Sequence, residues 1–111
     1  MKKVIITLFL VTYLLSCFAQ DEFILSAEYI PYKNRILVFT PKKYKPRKQY
    51  PAVFLLHGHT GDYRSWDQLI GLQQYADDYK FIIICPDGFY ESYYFDSPVK
   101  EHWQYETHFV N

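Results

Sequence analysis

Tyr50-Pro51-Ala52-Val53-Phe54-Leu55-Leu56-His57-Gly58-His59-Thr60-Gly61 joins an unbroken apolar run to a loop of two histidines and two glycines. Ala52 to Leu56 shows no polar alternation, which suits a strand buried on both faces, as in a parallel sheet. After the loop, Leu69, Leu72, Ala76 and Tyr79 recur at helical spacing, with Asp67, Gln73, Gln74 and Asp78 on the other faces. This predicts an amphipathic helix, weakened in its first turn by Gly71. Phe81-Ile82-Ile83-Ile84-Cys85 is a second apolar run, closed by the turn signal Pro86-Asp87-Gly88. Strand, loop, helix and strand in that order make a βαβ unit, whose right-handed crossover implies parallel strands with helices on the sheet faces.

Upstream, Phe23–Pro31 and Arg35–Thr40 read as two strands joined by a hairpin turn at Tyr32-Lys33-Asn34. Pro41 to Pro51 holds three prolines and the cations Lys42, Lys43, Lys45, Arg47 and Lys48, and therefore reads as an exposed loop. A surface for anionic lipid or polysaccharide is the rival reading of that cluster. Downstream, Phe89 to Phe95 is dense in aromatics, and Glu101 to Asn111 starts a helix with Trp103, Tyr105, Phe109 and Val110 as its apolar content. With no cap and no strand after it, that helix reads as the end of a truncated open reading frame, a frayed terminus being the alternative.

At the other end, Lys2 and Lys3 precede the apolar run Val4–Leu15 and then Ser16-Cys17-Phe18-Ala19-Gln20, the order of a secretory signal peptide. The run is shorter than the roughly 20 residues a membrane span needs. Residues 1–19 are therefore expected to be a leader and residues 20–111 a partial domain, exported to the periplasm or the extracellular space. Leu14-Leu15-Ser16-Cys17 also resembles a bacterial lipobox, so lipidation at Cys17 and a membrane-anchored lipoprotein remain the competing route. On either route Cys85 is the one thiol left, which excludes an intramolecular disulfide.

The chain of 111 residues carries 12 Lys+Arg against 12 Asp+Glu, so its net charge gives no argument for nucleic acid. Half of its residues are hydrophobic, with 12 Tyr, 9 Phe and 2 Trp, a globular composition without repeats or linker-like tracts. No set of residues has metal-ligand spacing, and no metal or organic cofactor is expected.

The stretch 50–61, with Trp66, Leu72, Ala76-Asp77, Tyr79, Pro86-Asp87-Gly88, Ser97-Pro98 and Gln104-Tyr105-Glu106-Thr107, resembles the esterase D and feruloyl-esterase-like family of α/β hydrolases. That family also includes S-formylglutathione hydrolases and mycolyltransferases. The resemblance implies an α/β-hydrolase fold, here its N-terminal part: a mostly parallel sheet after an initial antiparallel hairpin. It also implies an acyl-enzyme mechanism, in which a serine on a strand-to-helix elbow attacks an ester while a histidine and an acid move and orient its proton. None of Ser16, Ser26, Ser65, Ser92 and Ser97 lies in G-x-S-x-G. By the resemblance the nucleophile, acid and histidine all fall after residue 111, so none of the triad is assigned here and the chain alone is expected to be inactive.

The resemblance does carry over the loop after the first buried strand. The backbone N–H of His59, on the turn that Gly58 permits, is the expected oxyanion-hole donor. His57 is expected to brace that loop, and Trp66 to anchor it by packing. Asp87, Tyr93, Tyr94 and Trp103 are the substrate-binding candidates, with turn formation as the alternative for Asp87 and core filling for the aromatics. The expected partner is a small-molecule or glycan-linked ester, with no nucleic acid, and with membrane only if Cys17 is lipidated. From another class, a non-catalytic surface lipoprotein or carbohydrate-binding module would use Cys17 as anchor and the tyrosines as a sugar platform.

Overall fold

A computed structural model describes residues 20–25 and 30–110. The leader with Cys17, part of the first expected strand (residues 26–29) and Asn111 lie outside the described residues. Four strands form one sheet: β1 (Gln20–Leu25), β2 (Asn34–Phe39), β3 (Ala52–Phe54) and β4 (Ile82–Pro86), in the order β1-β2-β4-β3. β1 pairs antiparallel with β2, with Leu25 opposite Asn34 and Gln20 opposite Phe39, as a hairpin requires. β2 pairs antiparallel with β4, and β3 pairs parallel with β4, Val53 opposite Ile83. The expected parallel βαβ unit is therefore the β3–β4 pair, and the other two pairings among the described strands are antiparallel.

The crossover from β3 to β4 differs from the single helix expected. It is two helices, α1 (Ser65–Ile70) and α2 (Leu72–Tyr79), hinged at Gly71. Gly71 sits at φ 67°, a left-handed conformation that costs a glycine little. Its N–H donates to the Asp67 carbonyl at 2.8 Å, while the Asp67 carboxylate accepts the Leu72 N–H at 2.8 Å and so opens α2. The break shifts the helical phase. Leu72 and Ala76 reach the core, whereas Leu69, expected on the same face, is 73 % exposed.

The core lies between one face of the sheet and these helices: Leu37 and Phe39 of β2, Ile83 and Cys85 of β4, Leu72 and Ala76 of α2, and Tyr63. Leu55, Trp66 and Phe81 pack around it. Burial holds the Cys85 thiol protonated, its pKa pushed up to about 11, with the Asp67 charge adding to the shift. Along β4 burial alternates, and β3 is an edge of the sheet among the described strands, with Phe54 62 % exposed. Among the described residues the core and its helices lie on one face of the sheet, so the expected burial on both faces is not met there.

The last helix, α3 (Tyr105–Val110), starts later than the expected Glu101. Residues 100–103 instead close a turn through the Trp103 N–H and the Lys100 carbonyl at 3.0 Å. Asp96 then accepts the Thr107 N–H at 2.9 Å, satisfying a first-turn donor of the helix from outside it. Hydrogen bonds from the Thr107 hydroxyl and N–H hold the Asp96 carboxyl below its usual range.

Candidate active site

The parallel pair sets the geometry. β3 and β4 run the same way, so the His57–Gly61 loop and the Asp87-Gly88 turn leave the sheet side by side at its carboxyl end, where open α/β sheets place ligands. His57 ties them together. Its Nδ1 lies 2.8 Å from the Gly58 carbonyl and its Nε2 accepts the Gly88 N–H at 2.9 Å. With Nε2 accepting, Nδ1 carries the proton and donates to Gly58. The Asp87 carboxylate stands 3.3 Å from Nε2, facing a side chain only 2 % exposed. Burial works against protonating this ring, but the hydrogen bonds with Asp87 and the Gly58 carbonyl outweigh it and raise the pKa above the ordinary imidazole value. Protonation would make Nε2 a donor and exchange the Gly88 N–H for the Asp87 carboxylate.

The Gly58 carbonyl is held twice, by the His57 ring and by the Gly61 N–H at 3.0 Å. A trans peptide directs its N–H opposite to its C=O. The His59 N–H therefore faces away from the turn, and among the described residues neither it nor the Gly58 N–H has a protein acceptor. Both residues line an open cavity of about 230 Å³, together with His57, Phe89, Tyr90, Tyr93 and Tyr94. The His59 ring stacks on Tyr93, with centroids 5.4 Å apart and 6° between planes, and the Tyr90 ring sits 5.5 Å away.

Two glycines, neither of them Gly58, make the close approaches. Gly58 has no positive φ and a Cβ there would meet nothing within 4 Å, so the turn does not depend on it as expected. The left-handed residue of the loop is Thr60, at φ 66°. At Gly61 a Cβ would lie 3.2 Å from the His57 Nδ1, and at Gly88 it would lie 2.1 Å from a Tyr94 ring carbon. Replacing Gly88 with Ala should therefore drive Tyr94 off its seat and cost about 1–3 kcal/mol in a denaturant melt, while Gly58→Ala should stay within about 0.5 kcal/mol.

The substrate candidates separate. Tyr93 is exposed on the cavity rim. Tyr94 lines the cavity but also braces it: its hydroxyl donates to the His57 carbonyl at 3.0 Å and its ring contacts Phe109 of α3 at 5.6 Å. Burial pushes its phenol pKa up to about 12. Asp87 faces the turn, accepting the Phe89 N–H at 2.9 Å. Trp103 does not line this cavity. It packs edge-on against Phe89 at 5.2 Å, with the Lys100 ammonium 3.9 Å over its ring. Trp66 donates its indole N–H to the Leu56 carbonyl at 2.9 Å and so fixes the base of the loop.

Phe89, Tyr93 and Tyr94 all have positive φ, at 61°, 50° and 58°. Backbone strain of this kind, next to a cavity, is a common mark of a functional site. Ser92, not anticipated from the sequence, holds this stretch by hydrogen bonding the Gly88 carbonyl and accepting the Tyr94 N–H at 3.0 Å. A serine within a turn-forming aromatic run was the available signal. Among the described residues no serine hydrogen-bonds a histidine: Ser65 accepts the Asp62 N–H, and Ser97 accepts the Val99 and Lys100 N–H groups.

Known proteins share this fold. No curated protein matches the chain. A ferulic acid esterase structure superimposes with a TM-score of 0.69 at 25% identity, over 83% of this chain and 38% of that one. FphF, a fluorophosphonate-binding serine hydrolase of Staphylococcus aureus, gives 0.68 at 18% identity over 84% and 38% of the two chains. The S-formylglutathione hydrolase FrmB of Staphylococcus aureus gives 0.62 at 18% identity, over 86% and 40%. The chain thus spans about two fifths of the length of these structures, in the fold of α/β hydrolases. Residues 27–109, most of the chain, match the family described as "Putative esterase", and the chain belongs to that esterase family.

Proposed function

We propose that this chain is the N-terminal part of an exported serine carboxylic-ester hydrolase and supplies one side of its oxyanion hole. The observation that carries the reading is the doubly held Gly58 carbonyl, which turns the free His59 N–H away from the loop beside an aromatic cavity. Acyl transfer puts negative charge on the ester carbonyl oxygen, and a backbone N–H that is already fixed stabilises it without reorganising. The second donor, the nucleophile, the acid and the general base would come from polypeptide continuing this fold. A small-molecule or glycan-linked ester is the substrate class, and the similarity to a ferulic acid esterase supports an acyl group able to lie among Tyr90, Tyr93 and the His59 ring. Export rests on the Lys2-Lys3 leader, with Cys17 as the alternative lipid attachment point.

Reading the coding DNA past codon 111 in all three frames tests this. The expected result is a G-x-S-x-G elbow followed by an acid and then a histidine; a genuine stop with no such remnant downstream would contradict it. The 111-residue chain itself should leave a fluorophosphonate probe unreacted, as judged by intact mass, because no described serine hydrogen-bonds a histidine. Stoichiometric labelling of Ser65 or Ser92, abolished by its replacement with Ala, would show a nucleophile the account does not contain.

A further inference from the structure

Charge is not spread evenly along this neutral chain. From Tyr29 to Gly61 there is no Asp or Glu, while Lys33, Arg35, Lys42, Lys43, Lys45, Arg47 and Lys48 fall in that span. The fold gathers four of these lysines, with Lys80, around a hollow of about 170 Å³ that also includes Tyr50. The hollow is built rather than incidental. The loop is pinned by the Tyr44 N–H to the Pro41 carbonyl at 3.0 Å, the Lys48 N–H to the Lys45 carbonyl at 3.0 Å, and the Lys45 N–H to the Tyr50 hydroxyl at 3.1 Å. Lys43 and Lys80 both take left-handed backbone, at φ 62° and 57°, where a side chain is disfavoured.

One carboxylate faces these cations. Asp77 pairs with the Lys42 ammonium at 3.4 Å and is also engaged by the Lys42 N–H at 2.7 Å and the Gln73 amide at 3.0 Å. Lys80 donates to the Asp77 carbonyl, and Lys48 lies 5.4 Å over the Tyr50 ring. Lys43, Lys45 and Lys48 have no carboxylate partner among the described residues. Five lysines around one hollow, three of them without a carboxylate partner, make a locally positive surface that favours an anion.

We propose that this hollow binds a phosphate group. Ammonium groups bind phosphate as point charges, and a compact, doubly charged oxyanion gains more from several of them than a singly charged carboxylate does. The loop's single arginine, Arg47, is not part of the lining. The hollow lies where β2 ends and where β3 and β4 begin, at the opposite end of the sheet from the His57 loop. A five-residue strand separates the two ends by roughly 15 Å. The bound phosphate would therefore dock or localise the protein and leave the acyl cavity free.

The test is titration of the full chain with inorganic phosphate, followed by amide NMR, with acetate at equal ionic strength as control. Saturable shifts confined to residues 42–50 and Lys80, absent with acetate, are expected, and Lys43→Glu with Lys45→Glu and Lys48→Glu should weaken binding at least about tenfold. The milder Lys43→Gln with Lys45→Gln, checked for unchanged spectral dispersion, separates loss of charge from loss of fold. Shifts that do not saturate, equal response to acetate, or full affinity in the charge-reversed variant would overturn the proposal. Co-sedimentation with phosphatidylglycerol vesicles but not phosphatidylcholine would assign the phosphate to a lipid headgroup. Saturable phosphate binding without co-sedimentation would assign it to a soluble source.

Discussion

His57→Ala is expected to lower stability by about 2–4 kcal/mol, read as a fall in the urea midpoint at unchanged slope. The ring joins the two loops that define the cavity, and removing it leaves the buried Gly88 N–H without its acceptor and the Gly58 carbonyl with one donor fewer. A buried N–H stranded in this way costs about 1–3 kcal/mol, and the space vacated by a side chain 2 % exposed adds a cavity term. His57→Gln places an amide oxygen near the Nε2 position and should recover part of the loss. A variant within about 0.5 kcal/mol of the parent would mean that the two loops hold together by other contacts, chiefly Tyr94.

Much of the fold was legible because it rests on local pattern. The apolar runs 52–56 and 81–85 are the parallel pair, and the Pro-rich basic stretch is a loop. The crossover reads from sequence as one helix and is two. Periodicity counts Leu69 and Leu72 as one stripe, but Gly71 in a left-handed turn resets the helix between them, and only the Asp67 contacts reveal it. Burial on both faces was over-read, since an apolar run reports what a strand can bury and not which layer covers it.

The candidate loop can be placed from sequence, whereas its supports cannot. A His-Gly pair after an apolar strand marks where a backbone donor can sit, but the Gly88 partner of His57 comes from a turn 31 residues away. Tyr94 reads as one more tyrosine in an aromatic run, and its ring on Gly88 with its hydroxyl on the His57 carbonyl follows from tertiary geometry alone. The same holds for Trp103, whose aromatic character suits a pocket as well as it suits the Phe89 edge it covers.

The second large effect concerns catalysis in the longer polypeptide that the proposed function calls for, one that would carry the elbow and triad. His59→Pro removes the N–H to which the oxyanion role is given, and the ring with it, while the preceding Gly58 tolerates the restriction that proline imposes. Loss of one oxyanion donor lowers kcat by about 10²–10³, roughly 3–4 kcal/mol of transition-state stabilisation. His59→Ala keeps the N–H and loses the ring contacts with Tyr90 and Tyr93, so its effect should fall mainly on KM. The most direct measurement is therefore kcat for the two variants on the same aryl ester, with melts to establish that both are folded. The account predicts that His59→Pro loses at least about a hundredfold while His59→Ala stays within about threefold. Equal kcat values for the two variants would contradict it.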